Sequence, residues 1–242
     1  AERARLLRSL RLLILGLLLI GLLLILRSSL LILGLTLLGL CLLLGLMVMA
    51  GVAFGAWRLL KAPTEGLYPE DVLGVPVYTQ LAPEGAQNRP GTKREIRYIV
   101  IHETGNTAAG ADAAAHGQLE AKGGEGTTGW HYTVDNTEVW HSIPDDEVAY
   151  HAGDGAEGDG NLHGIGVELC VNTGGDSEKT FDIAARLTGW LMNAYDLSAD
   201  QVKEHYDFSG KNCPQTIREN GRMEEFVALA EQYAQQAKAQ ED

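Results

Sequence analysis

His205, Lys211 and Cys213 fall within one short polar run, HYDFSGKNCP, residues 205–214. An imidazole, an ammonium and a thiol so close together can hold a metal and place positive charge beside it. A further imidazole, His102, lies in IVIHETGN, residues 99–106. Three nitrogen or sulfur donors with a fourth position open form the usual set of a catalytic zinc, a Lewis acid that makes water acidic near neutral pH. His102, His205 and Cys213 are therefore the candidate ligands of one Zn2+, with Lys211 beside them. Cys213 has polar neighbours that favour a thiolate. Cys170, in an apolar run, reads as a small core hydrophobe, and Cys41 lies in the apolar N-terminal stretch. Cysteines so scattered imply no disulfide framework.

The elements that must position these groups follow from periodicity. Arg97 to His102 reads as a strand with His102 at its end, and the Ala-rich stretch 108–122 as a helix. Residues 131–134 and 138–142 read as strands joined by a turn at Asp135-Asn136-Thr137. The clearest strand is 164–171, GIGVELCV. There Ile165, Val167, Leu169 and Val171 alternate with Gly166, Glu168 and Cys170, so Glu168 lies on the face opposite the aliphatics. A carboxylate in mid-strand is costly unless that face lines a polar site or pairs it with a cation. Residues 179–194 suit an amphipathic helix, 202–205 a short approach to the metal turn, and 222–239 a closing helix. Strands alternating with helices predict an α/β fold, a central mixed β-sheet flanked by helices.

The first 61 residues differ from the rest. They hold seven basic residues and one acid, which leaves 12 basic and 31 acidic residues and a net charge of −19 in the remainder. So acidic a surface repels phosphate backbones and excludes nucleic acid as the partner. Residues 12–26 are Leu, Ile or Gly throughout, and the apolar run 30–57 is broken only by Thr36 and Cys41. The second run can cross a hydrocarbon core of roughly 30 Å. Arg27-Ser28-Ser29 between the runs fits either a helical hairpin or an interruption in one long helix. Arg3, Arg5, Arg8 and Arg11 favour a cytoplasmic N-terminus. With one span, the favoured reading, the rest lies outside the membrane, and with two spans it returns inside. A cleavable signal peptide suits the length poorly. The sequence opens on Ala, which leaves room for residues upstream. The expected organisation is a membrane anchor over 1–61, meeting lipid through residues 12–57, then a Pro/Gly-rich linker and extended arm over 62–91, and a catalytic domain over 92–242.

NRPGTK (88–93), IVIHETGN, GWHYTVDN (129–136), HAGDG (151–155), GIGVELCVN (164–172) and HYDFSGKNCP together resemble the zinc-dependent N-acetylmuramoyl-L-alanine amidases. These are related to phage lysozyme-type amidases and peptidoglycan recognition proteins. The likeness covers about residues 75–235 with the motifs in order. It implies a hydrolase that cuts the amide between the lactyl group of N-acetylmuramic acid and the L-alanine of the stem peptide. The family's zinc ligands fall on His102, His205 and Cys213, its acidic catalytic residue on Glu168 and its catalytic lysine on Lys211. His131, His151 and Trp130 fall in motifs expected to line the substrate groove.

The chain departs from family patterns at two positions. Glu103 stands where close relatives carry a neutral residue, which adds negative charge near the metal. Trp130 stands where the phage lysozyme-type and recognition-protein branches have a catalytic tyrosine, so a tyrosine-based mechanism does not carry over. The reading is a membrane-anchored, monomeric peptidoglycan hydrolase of a bacterial cell surface, an autolysin or prophage-type lysin. A non-catalytic peptidoglycan-binding module of the same fold and a structural zinc module remain as alternatives.

Overall fold

YIVIHE, a run of β-branched and aromatic residues, forms the strand β3 (Tyr98–Glu103), with residues 99–102 all buried. The computed structural model describes residues 67–241, and β3 is the second strand from one edge of its seven-stranded sheet. The other strands are β1 (Asp71–Val72), β2 (Val75–Thr79), β4 (Tyr132–Val134), β5 (Val139–His141), β6 (Gly164–Leu169) and β7 (Val202–Glu204), in the order β1-β2-β5-β4-β6-β3-β7. Pairs β2/β5, β4/β6, β6/β3 and β3/β7 are parallel, while β1/β2 and β4/β5 are antiparallel. The sheet is mixed, as expected.

Register carries the functional consequence. Tyr78 pairs with Trp140, Trp140 with Thr133, Thr133 with Glu168 and Glu168 with His102. Paired residues point to one face of a sheet, so these five side chains form a row across four strand boundaries. The opposite face carries Ile99, Ile101, Tyr132, Val134, Ile165, Val167 and Leu169, all in the apolar core.

Two long helices cover that apolar face, α3 (Ser177–Tyr195) and α6 (Met223–Glu241). Phe181 and Phe226 meet edge to face at 5.2 Å between centroids. Gly189 lets the helices approach closely, since a Cβ there would lie 2.4 Å from the Ala230 carbonyl oxygen. The other face is partly covered by α1 (Ala113–Ala121), whose Gly117 packs on Trp140. This helix is shorter than the expected 108–122, because Gly110 takes a positive φ of 79° and Asp112 caps the start by accepting from the Ala115 N–H.

Three short helices, α2 (Asp159–His163), α4 (His205–Ser209) and α5 (Gln215–Glu219), were not expected. The expected extended arm over 62–91 contributes β1 and β2 to the sheet edge. The expected membrane anchor over 1–61 lies outside the described residues. Among the described residues, no helix is long and apolar enough to cross a membrane.

Candidate active site

Three segments deliver the metal-type donors. β3 carries His102 buried at its carboxyl end, and β7 leads directly into His205 at the start of α4. Gly210, at φ 75°, ends α4 and turns the chain through Lys211 and Asn212 to Cys213. The Tyr206 N–H donates to the Cys213 carbonyl at 3.1 Å, closing that turn. Arg218 on α5 clamps it from outside. Its guanidinium pairs with Glu204, donates to Asn212 Oδ1 at 3.0 Å and lies 3.7 Å from the Tyr206 ring centroid.

The donor atoms of His102, His205 and Cys213 all lie within 4.8 Å of one another. His102 Nδ1 is 2.9 Å from His205 Nδ1 and 3.9 Å from Cys213 Sγ. Nitrogen donors on a tetrahedral zinc stand about 3.3 Å apart, so the spacing suits that ion. Charge state suits it as well. Burial drives the His102 imidazole well below its usual pKa, and burial with the Lys211 charge brings His205 down to about 4. Both rings are thus neutral near pH 7, with a lone pair to give. The thiol is different: burial pushes Cys213 up to about 11, so polar neighbours alone do not ionise it. A divalent cation supplies the charge that does. The Glu103 N–H already donates toward the sulfur at 3.4 Å. The donor set therefore fits zinc, with three ligands and an open position.

Glu168 lies beside this cluster on β6, with Oε1 3.9 Å from His102 Nδ1 and a side chain 14 % exposed. Its Oε2 has no hydrogen-bond partner among the described residues. Burial pushes the carboxyl up to about 8 against the opposing pull of Lys211. Lys211 itself is exposed, and its charge is felt at His102, Glu168, His205 and Cys213. Trp130 is half-buried one strand away, donating from Nε1 to Thr133 Oγ1 at 2.7 Å.

The two histidines expected in a substrate groove are instead turned inward. His131, fully buried, accepts the Gly166 N–H at Nδ1 and reaches the Glu147 carbonyl through Nε2. His151, 6 % exposed, bridges the Gly164 carbonyl and His102. Both rings satisfy buried backbone or ligand groups, and a motif alone does not reveal that. Glu103 has a second task beyond the charge expected of it. Its carboxylate accepts the Thr216 and Ile217 N–H groups at 2.8 and 3.2 Å, capping α5, while its negative charge is still felt at Glu168 and Cys213.

Sequence reasoning missed Arg218 and Asn161. Asn161 Oδ1 accepts the N–H groups of His151 and Ala152 at 2.8 and 2.7 Å and fixes that loop. Neither carries a local sequence signal. Gly164 and Gly166 did carry one, because they share the β6 face of Glu168 where larger residues were absent.

The family described as N-acetylmuramoyl-L-alanine amidase matches residues 92–216. The N-acetylmuramoyl-L-alanine amidase XlyA of Bacillus subtilis is 43% identical over 143 residues, 59% of this chain and 48% of the relative. The amidase CwlH of the same organism is 38% identical over 143 residues, 59% of this chain and 57% of the relative. The chain thus spans about half the length of the curated relatives it matches. The solved catalytic domain of XlyA superposes with a TM-score of 0.61 at 40% identity, covering 64% of this chain and 99% of that domain. With the ligand cluster and Glu168 inside the matched span, the chain belongs to the N-acetylmuramoyl-L-alanine amidase family.

Proposed function

We propose that this protein hydrolyses the amide between N-acetylmuramic acid and the L-alanine of the peptidoglycan stem, as a zinc enzyme tethered to the bacterial membrane. One observation carries the reading: His102, His205 and Cys213 converge within 4.8 Å, with Glu168 3.9 Å from one of them. A binding module has no use for such a carboxylate. A structural zinc site is closed by four protein ligands, whereas among the described residues three are brought together here.

Zinc held by these residues would polarise the scissile carbonyl and make water acidic enough to ionise near neutral pH. Ionised beside a divalent cation, whose charge would offset the burial that otherwise holds the carboxyl at about 8, Glu168 takes the proton of the attacking water at Oε2 and returns it to the departing alanine nitrogen. Lys211 brings its ammonium to the side where negative charge develops on the carbonyl oxygen. Trp130, one strand from Glu168, borders the space that the glycopeptide enters.

The domain after residue 61 acts outside the cell membrane as a monomer. Residues 12–57 anchor it in lipid by a single span. The apolar runs and the four N-terminal arginines support this placement.

Glu168→Gln tests the chemistry. It should lower kcat at least about 10²-fold while zinc content stays at one per chain. Turnover near the wild-type rate would sink the proton-transfer role.

A further inference from the structure

Proton positions around His102 follow by elimination from a backbone carbonyl. His151 Nε2 lies 2.9 Å from the Gly164 carbonyl oxygen. A carbonyl only accepts, so Nε2 carries a proton. His151 is 6 % exposed and feels the Arg94 guanidinium, and burial beside a cation disfavours a second proton. His151 Nδ1 is therefore an acceptor, and it lies 3.0 Å from His102 Nε2. That nitrogen must be the donor. His102 is buried as well, so its Nδ1, which faces His205 Nδ1 and Cys213 Sγ, keeps its lone pair.

We propose that His151 is a positioning residue, transmitting the orientation of the Gly164 carbonyl to His102 and holding that ring in the one tautomer that can ligate a metal through Nδ1. The surroundings are built for this ring. A Cβ at residue 166 would lie 2.8 Å from His151 Cγ and Cδ2. Only a glycine at that position of β6 leaves room for the imidazole. The His102 and His151 rings stand at 89° with centroids 5.0 Å apart, so the donor and acceptor meet edge on. Asn161 fixes the His151 backbone through two hydrogen bonds. A second imidazole that orients a ligand is an outer-shell device, and loss of such a partner typically weakens metal binding about 10–100-fold.

The inference rests on His102 being a zinc ligand, and two readouts keep the claims apart. In the 242-residue chain in detergent, 15N-histidine NMR of the metal-free protein reads the His102 tautomer, and chelator competition reads zinc affinity. Wild type should show His102 protonated at Nε2. His151→Phe, which fills the space without an acceptor, should leave mixed His102 tautomers and lower zinc affinity about 10–100-fold. His151→Asn, whose Oδ1 stands where Nδ1 stood, should keep the single tautomer and stay within a few-fold of wild type. Gly166→Ala, which pushes the ring aside without removing it, should shift both readouts in the direction of His151→Phe. An unchanged tautomer in His151→Phe, or zinc affinity equally poor in His151→Asn and His151→Phe, would overturn the proposal. Failure of wild type to bind zinc would instead overturn the zinc reading, leaving the tautomer measurement to test the relay.

Discussion

Glu168 lies 3.9 Å from the neutral His102 imidazole and feels the charge of the exposed Lys211, and the contrast assigns their work. Lys211 is exposed, yet its charge is felt at His102, Glu168, His205 and Cys213. Replacing it should therefore damage the charged transition state more than the resting site. Lys211→Gln is expected to lower kcat about 10²–10³-fold with zinc affinity changed only a few-fold, measured by steady-state kinetics beside chelator competition. Equal loss of both would make Lys211 a structural residue. The reactive groups themselves were legible in the sequence, because a mid-strand carboxylate and a His-Lys-Cys turn are costly anywhere but in a polar site. The direction of the surrounding rings was not. His131 and His151 lie in motifs rich in polar residues, yet their partners are the Gly166 N–H and the carbonyls of Glu147 and Gly164, which come from segments distant in sequence.

At the scale of elements, the site depends on how helices and loops are pinned to the sheet. Glu120 on α1 is fully buried, and its Oε2 accepts from Asn88 Nδ2 at 3.0 Å, joining the NRPGTK segment to the helix. Burial raises its carboxyl from 4.5 to about 7. The folded state thus holds this proton more tightly than the unfolded one. Its stabilising effect is full below about pH 4.5 and lost as pH rises toward 7. Glu120→Gln removes that dependence. Its stability relative to wild type should improve by about 2–3 kcal/mol between pH 5 and pH 8, read from urea unfolding at both values. A gap independent of pH would contradict the buried-carboxyl account. On the other face, Gly189→Ala forces α3 away from α6 and should cost about 1–3 kcal/mol, seen as a lower Tm. No change would mean that the helices are not held at this separation. The two long helices were readable from their amphipathic pattern. The strands β1 and β2 were not, because prolines spaced from Pro63 to Pro90 make the segment read as a linker, although Pro76 stands just before the residues of β2 that pair with β5, which begin at Val77.

At the scale of the whole molecule, charge and hydropathy divide the chain into an apolar, basic N-terminal segment and an acidic domain. The domain's fold explains why motifs spread over a hundred residues form one site: parallel β3, β6 and β7 bring His102, Glu168 and the approach to His205 to one end of the sheet. The tethering proposal predicts that protease added to intact spheroplasts digests the domain, and protection would place it inside. The central claim is the bond that is cut. Purified cell wall incubated with the zinc-loaded protein should release stem peptides with a new L-alanine amino terminus and no new reducing sugar ends. Chelation should abolish the release and added zinc should restore it. New reducing ends, amino termini on other stem residues, or release unaffected by chelation would contradict the account.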